Sequence, residues 1–324
     1  MIAGFDIGGT KCAVTVGEKL PDDIRVLTRK EFPTKGSPND VIAYMVALLR
    51  EELKELSLTI SDIEGVGISC GGPLNGEKGV ILSPPNLPGW DDIHVVEIVE
   101  KALGVPAFLC NDADACALAE WQYGAGKGCR HMIFLTFGTG LGAGLILNGQ
   151  LYTGANNFAG EVGHMRLDKY GPIGYGKSGS FEGFCSGNGI AQLAKMRAME
   201  VLQQGKPVSF APTMADVENI TAKSVAMAAN DGDALAIRIY EEVGERFGRG
   251  LAVLADILNP QRIIAGGVFM RSHHLMEKSM RKTLREEALY GTAEVEIVPA
   301  GLGEKIGDYA ALSIASYGLE QRKN

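Results

Sequence analysis

Two stretches about 130 residues apart share one design. IAGFDIGGTKCAVTVG, from Ile2 to Gly17, is an apolar run, a polar glycine turn and a second apolar run, and MIFLTFGTGLGAGLILNG, from Met132 to Gly149, repeats that order. Asp6-x-Gly8 in the first corresponds to Thr136-x-Gly138 in the second. Each reads as strand, turn, strand, and a repeat at that separation points to two lobes of related fold, each offering a glycine hairpin to a shared cleft. The competing reading is coincidence, because Gly-Thr hairpins are common. A third diglycine turn, Gly266-Gly267, follows the apolar run of RIIAGGVF.

The rest of the chain fits an alternation of strands and helices. NDVIAYMVALLREELKEL places Val41, Ile42, Met45, Leu48, Leu49 and Leu53 at helical spacing, with Asn39 as the expected N-cap. EGVGISC and VPAFLC read as buried strands ending in GGP and in Asn111-Asp112, and HVVEIVEKALG as a helix closed by Gly104. Residues 187–204 and 232–258 carry two long helical patterns, the second stopped at Asn259-Pro260. IGDYAALSIASYGL is an amphipathic segment expected to pack back on the first lobe. Strands that repeatedly end in glycine or polar loops indicate the doubly wound α/β class, with ligands at the carboxyl ends of the strands. A length of 324 residues, 46% of them hydrophobic, suffices for two ordinary domains or one large one.

Charge narrows the partners. A formal net charge of −8 argues against a general nucleic-acid or membrane-surface binder, which needs an excess of Lys and Arg. Six cysteines without a C-x-x-C pair read as reduced core residues, and no apolar stretch has the length of a leader or a membrane span, so a cytoplasmic location is expected.

An acidic chain that binds anions needs a local device, and the glycine turns supply one. Gly8, Gly9, Thr10 and Lys11, Gly138, Thr139 and Gly140, and Gly266 with Gly267 are expected to hold the phosphates and adenosine of ATP, because exposed N–H groups without a Cβ make anion nests. Asp6 stands where its carboxylate can hold Mg²⁺ through water, or alternatively cap its own turn. Asn86, Asn111, Asp112, Glu161, His164 and Glu182 form a set of amides and carboxylates suited to a polyhydroxylated ligand. Asp112 is the candidate base for phosphoryl transfer to an alcohol, with helix capping as its other role. Glu161 and His164 have E-x-x-H spacing, but once only and outside a clear helix, so a di-iron site is not expected.

GPIGYGKS, Gly171 to Ser178, fits the phosphate-loop pattern G-x-x-x-x-G-K-[ST] at every fixed position. Its flanks do not. GHMRLDKY is too charged for a buried strand, and Gly179 and Gly183 follow where the helix should start, so a P-loop is rejected.

Taken together, these motifs resemble the ROK sugar kinases and repressors of the actin, hexokinase and heat-shock chaperone superfamily. DIGGTK is similar to that family's first phosphate motif, FGTGLGAG to the second, IIAGGV to the adenosine motif, NDADACALAE to the catalytic-aspartate loop and AGEVGH to the sugar-binding signature. The resemblance implies an α/β, two-domain actin-like ATPase (ribonuclease H-like) fold with a ligand cleft between the lobes. One lobe would comprise residues 1–118 plus 303–324, the other residues 119–302. It implies ATP- and Mg²⁺-dependent phosphorylation of a hexose, most readily glucose at its 6-hydroxyl, with Asp112 as base and Gly72, Asn86, Asn111, Glu161, His164 and Glu182 around the sugar. It implies a homodimer as well. Fructose, mannose, allose and N-acetyl sugars stand as alternatives. A repressor would carry a DNA-binding element before DIGGTK, which here begins at residue 6, and a catalytically idle sensor would not need the retained Asp6, Asp112 and glycine motifs.

One departure is plain. The family commonly binds structural zinc through cysteines after the histidine, and the aligned positions here are Ile173, Tyr175 and Ser180. No zinc is expected.

Overall fold

The computed structural model describes residues 1–323. The apolar run Ile2–Ile7 (β1) pairs antiparallel with Lys11–Lys19 (β2) across the first glycine turn. Ile24–Pro33 (β3) then pairs antiparallel with β2, a strand passed over in the sequence because its charges suit an edge and leave no apolar run. Helix α1, Pro38–Glu55, is capped by Ser37 rather than by Asn39: Pro38 occupies the first turn, and Asp40 closes a capping box with Ser37.

Val66–Cys70 (β4), buried at every residue, lies parallel beside β1. Leu74–Asn75 (β5) and Val80–Ile81 (β6) form a small hairpin. Helix α2, Val95–Leu103, ends at Gly104 with φ of 73°, the left-handed cap a glycine takes without a Cβ clash. Ala107–Asn111 (β7) runs parallel to β4 and passes directly into α3, Asp112–Tyr123.

The second sheet comprises Met132–Leu135 (β8), Ala143–Leu147 (β9), Gln150–Leu151 (β10), Arg262–Ala265 (β13) and Glu296–Pro299 (β14). Ile173–Gly174 (β11) and Lys177–Ser178 (β12) make a separate hairpin. The strand orders are β3-β2-β1-β4-β7 and β10-β9-β8-β13-β14. These are the same order, with each hairpin and each parallel strand in the corresponding place. The two glycine stretches are therefore equivalent parts of equivalent sheets, and coincidence is excluded as their explanation.

The remaining helices are α4 (Phe181–Phe184), α5 (Gly187–Gln203), α6 (Ala222–Asn230), α7 (Ala234–Leu258), α8 (Val268–Glu287) and α9 (Ile306–Gln321). Asn259, at φ of 41°, ends α7 as its sequence indicated. The sequence did not announce α8, whose RSHHLMEKSMRKTLREE hides the buried Met276, Met280 and Leu284 among charges.

The chain packs as two compact units. Met1–Arg130, Gly144–Ala159 and the segment from Gly301 form unit 1, and His131–Ala143 with Gly160–Ala300 form unit 2. In unit 1 the sheet buries Phe5, Val14 and Ile68 against Met45 and Leu49 of α1. Helix α9 lies on the same sheet so closely that a Cβ on Gly67 would stand 1.9 Å from the Ala311 carbonyl oxygen. In unit 2, α7 and α8 meet through Gly244 and Gly248, whose Cβ atoms would approach the Met276 and Met280 carbonyls to 2.5 and 2.4 Å.

Candidate active site

In unit 1, Ile7, Cys70 and Asn111 stand in register across β1, β4 and β7, so three parallel strands end together. The candidate residues follow from that row. Asp6 is half-buried one residue before the end of β1 and makes no hydrogen bond to its own turn, whose Gly8 N–H donates to the Lys11 carbonyl at 3.2 Å. The capping role considered for Asp6 is thus filled by the backbone. Burial pushes its pKa up, Arg29 opposes that, and Asp112 reinforces it. Thr34 donates its hydroxyl to the Gly8 carbonyl at 2.6 Å, and the N–H groups of Gly9 and Thr10 have no partner among the described residues. A Cβ on Gly9 would fall 2.2 Å from the Asn86 carbonyl oxygen, so the hairpin lies directly against the loop carrying Asn86.

Lys11 is engaged: its ammonium pairs with Glu31 at 2.8 Å, and Arg29 joins the same carboxylate at 2.8 Å and Asp308 at 3.2 Å. Glu31 carries no local signal in the sequence, because it reaches Lys11 only across the pairing of β2 with the edge strand β3.

Asn111, not Asp112, caps α3, its Oδ1 accepting the Ala113 N–H at 2.9 Å. The Asn111 side-chain NH₂ remains as a donor. A Cβ on Gly72 would approach that nitrogen to 3.1 Å, which places Gly72 beside Asn111. Asp112 is the first residue of the helix; its Oδ1 also accepts from Ala113, at 2.8 Å, and its side chain is open to solvent. Desolvation by the protein around it raises its pKa, against the pull of the Ala113 N–H. An accessible carboxyl ringed by protein is suited to exchange protons with a ligand.

In unit 2 the second hairpin is held tightly. Thr136 N–H donates to the Gly142 carbonyl at 3.0 Å, Gly142 N–H to Thr136 Oγ1 at 2.9 Å, and Gly138 N–H to the Gly140 carbonyl at 2.9 Å. The N–H groups of Thr139 and Gly140 have no partner among the described residues. Gly267, at φ of 58°, brings the third turn onto this hairpin, and Val268 N–H donates to the Phe137 carbonyl at 2.7 Å. Phe247 of α7 stacks against Phe137, Phe269 and Phe181 at 5.1, 5.5 and 5.9 Å, joining the hairpin, the start of α8 and the start of α4 in one aromatic group.

Glu161 and His164 share one turn of 3₁₀ helix, Val162–His164, capped at Glu161. GPIGYGKS forms the β11–β12 hairpin; Lys177 and Ser178 lie on a strand, and the next helix starts only at Phe181. Lys177 donates to the His164 carbonyl at 2.7 Å instead of facing a helix N-terminus, which agrees with rejecting a P-loop. Tyr175 meets the His164 ring edge-on at 5.2 Å. Ser180 caps α4, and Gln192 bonds both the N–H and the carbonyl of Ile173, at 3.1 and 2.9 Å. Of the three positions aligned with cysteines, Ser180 caps α4, while Ile173 and Tyr175 are exposed, at 54% and 72%. They do not fit zinc, which needs thiolate or imidazole donors at several of them.

Two surface depressions, of about 500 and 540 Å³, lie by Ser209, Met227 and Asp233 and by Lys278, Arg281 and Arg285. They contain none of the candidate residues; chemistry rather than volume singles out the site.

The ROK family model matches residues 2–317. The chain belongs to the ROK family. A glucokinase of Streptomyces coelicolor is 31% identical over 315 residues, covering 96% of each chain. An N-acetylmannosamine kinase of Citrobacter koseri is 29% identical over 291 residues, covering 89% of this chain and 90% of the relative. Among solved structures, a ROK family glucokinase from Streptomyces griseus in complex with glucose and AMPPNP has a TM-score of 0.75 at 30% identity, covering 97% of this chain and 99% of that one. This ROK protein is an ATP-dependent sugar kinase with the actin-like ATPase fold of those relatives. No helix among its described residues is long and apolar enough to cross a membrane.

The donors of this ROK kinase fit Mg²⁺. Asp6 is a hard oxygen ligand that accepts no hydrogen bond among the described residues, and Mg²⁺ in phosphotransferases takes few protein carboxylates and keeps waters.

Proposed function

We propose that this ROK kinase transfers the γ-phosphoryl group of ATP to the 6-hydroxyl of glucose, with Asp112 as general base. The observation that carries the reading is the accessible Asp112 carboxyl, its pKa raised by desolvation, at the end of the strand row that also holds Asp6, Gly72 and Asn111. A base works best when its pKa approaches the working pH, and desolvation by the surrounding protein moves Asp112 in that direction.

In this reading the sugar donates hydroxyls to Glu161 and Glu182 and receives hydrogen bonds from the Asn111 NH₂, with Asn86, Gly72 and His164 completing its surroundings. Asp112 takes the hydroxyl proton while the sugar oxygen bonds to the γ-phosphorus. The bond from that phosphorus to the β–γ bridging oxygen breaks, ADP leaves, and the proton passes from Asp112 to solvent. The N–H groups of Gly9, Thr10, Thr139 and Gly140 face the phosphate charge, and Gly266 and Gly267 receive the adenosine. Asp6 would hold Mg²⁺ through water, and the ion would then supply neutralisation of the phosphate oxygens. The protein works in the cytoplasm as a homodimer, which sedimentation of the purified chain checks.

Glucose is favoured by the glucokinase relatives at 31 and 30% identity; the N-acetylmannosamine kinase at 29% is the reason to include amino sugars in the test. An ADP-release assay across hexoses and N-acetyl hexosamines should give the highest kcat/KM with glucose, and Asp112→Asn should lower kcat by ~10²–10⁴. Turnover of Asp112→Asn at the wild-type rate would remove Asp112 as base. Preference for another sugar would move the substrate and leave the base standing.

A further inference from the structure

We propose that Glu182 couples sugar binding to nucleotide binding: one carboxylate oxygen holds the second phosphate hairpin while the other is left for the sugar. The inference rests on the kinase reading above and goes beyond a ligand role for Glu182.

Glu182 Oε2 accepts the backbone N–H of Leu141 at 2.9 Å, a contact between positions 41 residues apart. Leu141 follows Thr139 and Gly140, whose N–H groups are those available to phosphate. The other oxygen, Oε1, has no hydrogen bond among the described residues. The side chain threads a slot lined by one glycine from each of three motifs. A Cβ on Gly140 of the hairpin would come 2.7 Å from Oε2. One on Gly163, between Glu161 and His164, would come 3.2 Å from the Glu182 Cβ, and one on Gly174 of the GPIGYGKS loop 2.9 Å from the same atom. The glycines are small where Glu182 passes, so its carboxylate has a defined path to the hairpin.

A second tie follows in the same stretch of chain. Gly187 N–H, at the start of α5, donates to the Gly138 carbonyl at 2.8 Å. Residues 182–187 therefore grip the hairpin on both sides of the Thr139–Gly140 amides. A sugar hydroxyl donating to Oε1 fixes the plane of the carboxylate and with it the Leu141 N–H. The amides are then ordered before the nucleotide arrives, and binding energy otherwise spent on ordering them appears as tighter nucleotide binding. By linkage, the nucleotide must tighten sugar binding by the same factor.

Calorimetry of AMPPNP binding, with and without saturating glucose or the best sugar of the panel, measures this factor. In the wild type, sugar should tighten AMPPNP by roughly 5- to 150-fold, the usual range for coupled sites. Glu182→Ala and Gly140→Ala should bring the factor close to one. His164→Ala should weaken the sugar and leave the factor unchanged, because His164 has no bond to the hairpin. Gly140→Ala keeps every proposed sugar ligand, so it decides the matter alone if Glu182→Ala binds no sugar; thermal melts establish that the variants are folded. A wild-type AMPPNP affinity independent of sugar, or an undiminished factor in Gly140→Ala, overturns the proposal while leaving the kinase reading intact. Failure of the wild type to bind any sugar removes that reading and the coupling with it.

Discussion

Desolvation by the protein packed around its accessible carboxyl raises the pKa of Asp112, and the backbone N–H groups of Ala113 and of Asp112 itself do not compensate. The sign of the stability effect follows. A carboxyl whose folded pKa lies above its unfolded value, ~3.9, favours folding fully below that value and progressively less as pH climbs through the folded pKa. Wild-type stability therefore carries a cost at neutral pH that Asp112→Asn, isosteric and uncharged, avoids. The variant should melt at a higher temperature than the wild type at pH 7, with the difference shrinking as pH falls through the raised folded pKa towards ~4 and absent below it. Melting curves across that pH range check it, and a difference that does not change with pH would remove the desolvation argument. What made Asp112 legible was its place: an acidic residue directly after an apolar strand and before a helix. Which of Asn111 and Asp112 caps that helix was not legible, since both residue types cap well, and the choice depends on where the β7 backbone turns into α3.

Elements were legible when their periodicity was carried by apolar residues and illegible when it was not. β1, β4 and β7 are almost wholly apolar, whereas β3 is an edge strand and α8 a helix with one buried stripe beneath many charges. Helix α9 is a third case. Its sequence reads as amphipathic, yet it is buried continuously from Ala310 to Ser316, because it lies on β1 and β4 on one side and against α3 on another. Its neighbours show how tight that is: a Cβ on Gly4 would meet the Ala311 Cβ at 2.8 Å, and Tyr123 of α3 bonds Ser316 at 3.1 Å. Glu120, fully buried in α3, accepts the N–H groups of Ala125, Gly301 and Leu302 and so fixes the chain leading into α9. Gly67→Ala must push α9 off the sheet, since the clash is with backbone. It should lower unfolding free energy by ~1–3 kcal/mol or more, read from the urea midpoint at constant slope. An unchanged midpoint would show that α9 is not held at that spacing.

At the scale of the molecule, the repeat was legible as a pair of hairpins, and the structure extends it to two five-stranded sheets of matching order. The extension was invisible because the added strands, β3 with β10 and β7 with β14, share no sequence pattern and correspond only by position. The motifs fixed the chemistry more surely than the boundaries, since glycines next to ligands are set by local geometry while the packing of units depends on the whole chain. Unit 1 is built from both ends of the sequence: its sheet is assembled by Asn111, and the helix that covers it begins at Ile306. A chain stopped after Ala300 should therefore leave the face of β1 and β4 around Gly4 and Gly67 bare and partition to the insoluble fraction on expression, where the full chain remains soluble. Recovery of the shortened chain in the soluble fraction with native melting behaviour would contradict this. During synthesis the ribosome releases that apolar sheet long before the helix that shields it, so the nascent chain must pass nearly two hundred residues of elongation with one face of its first sheet uncovered.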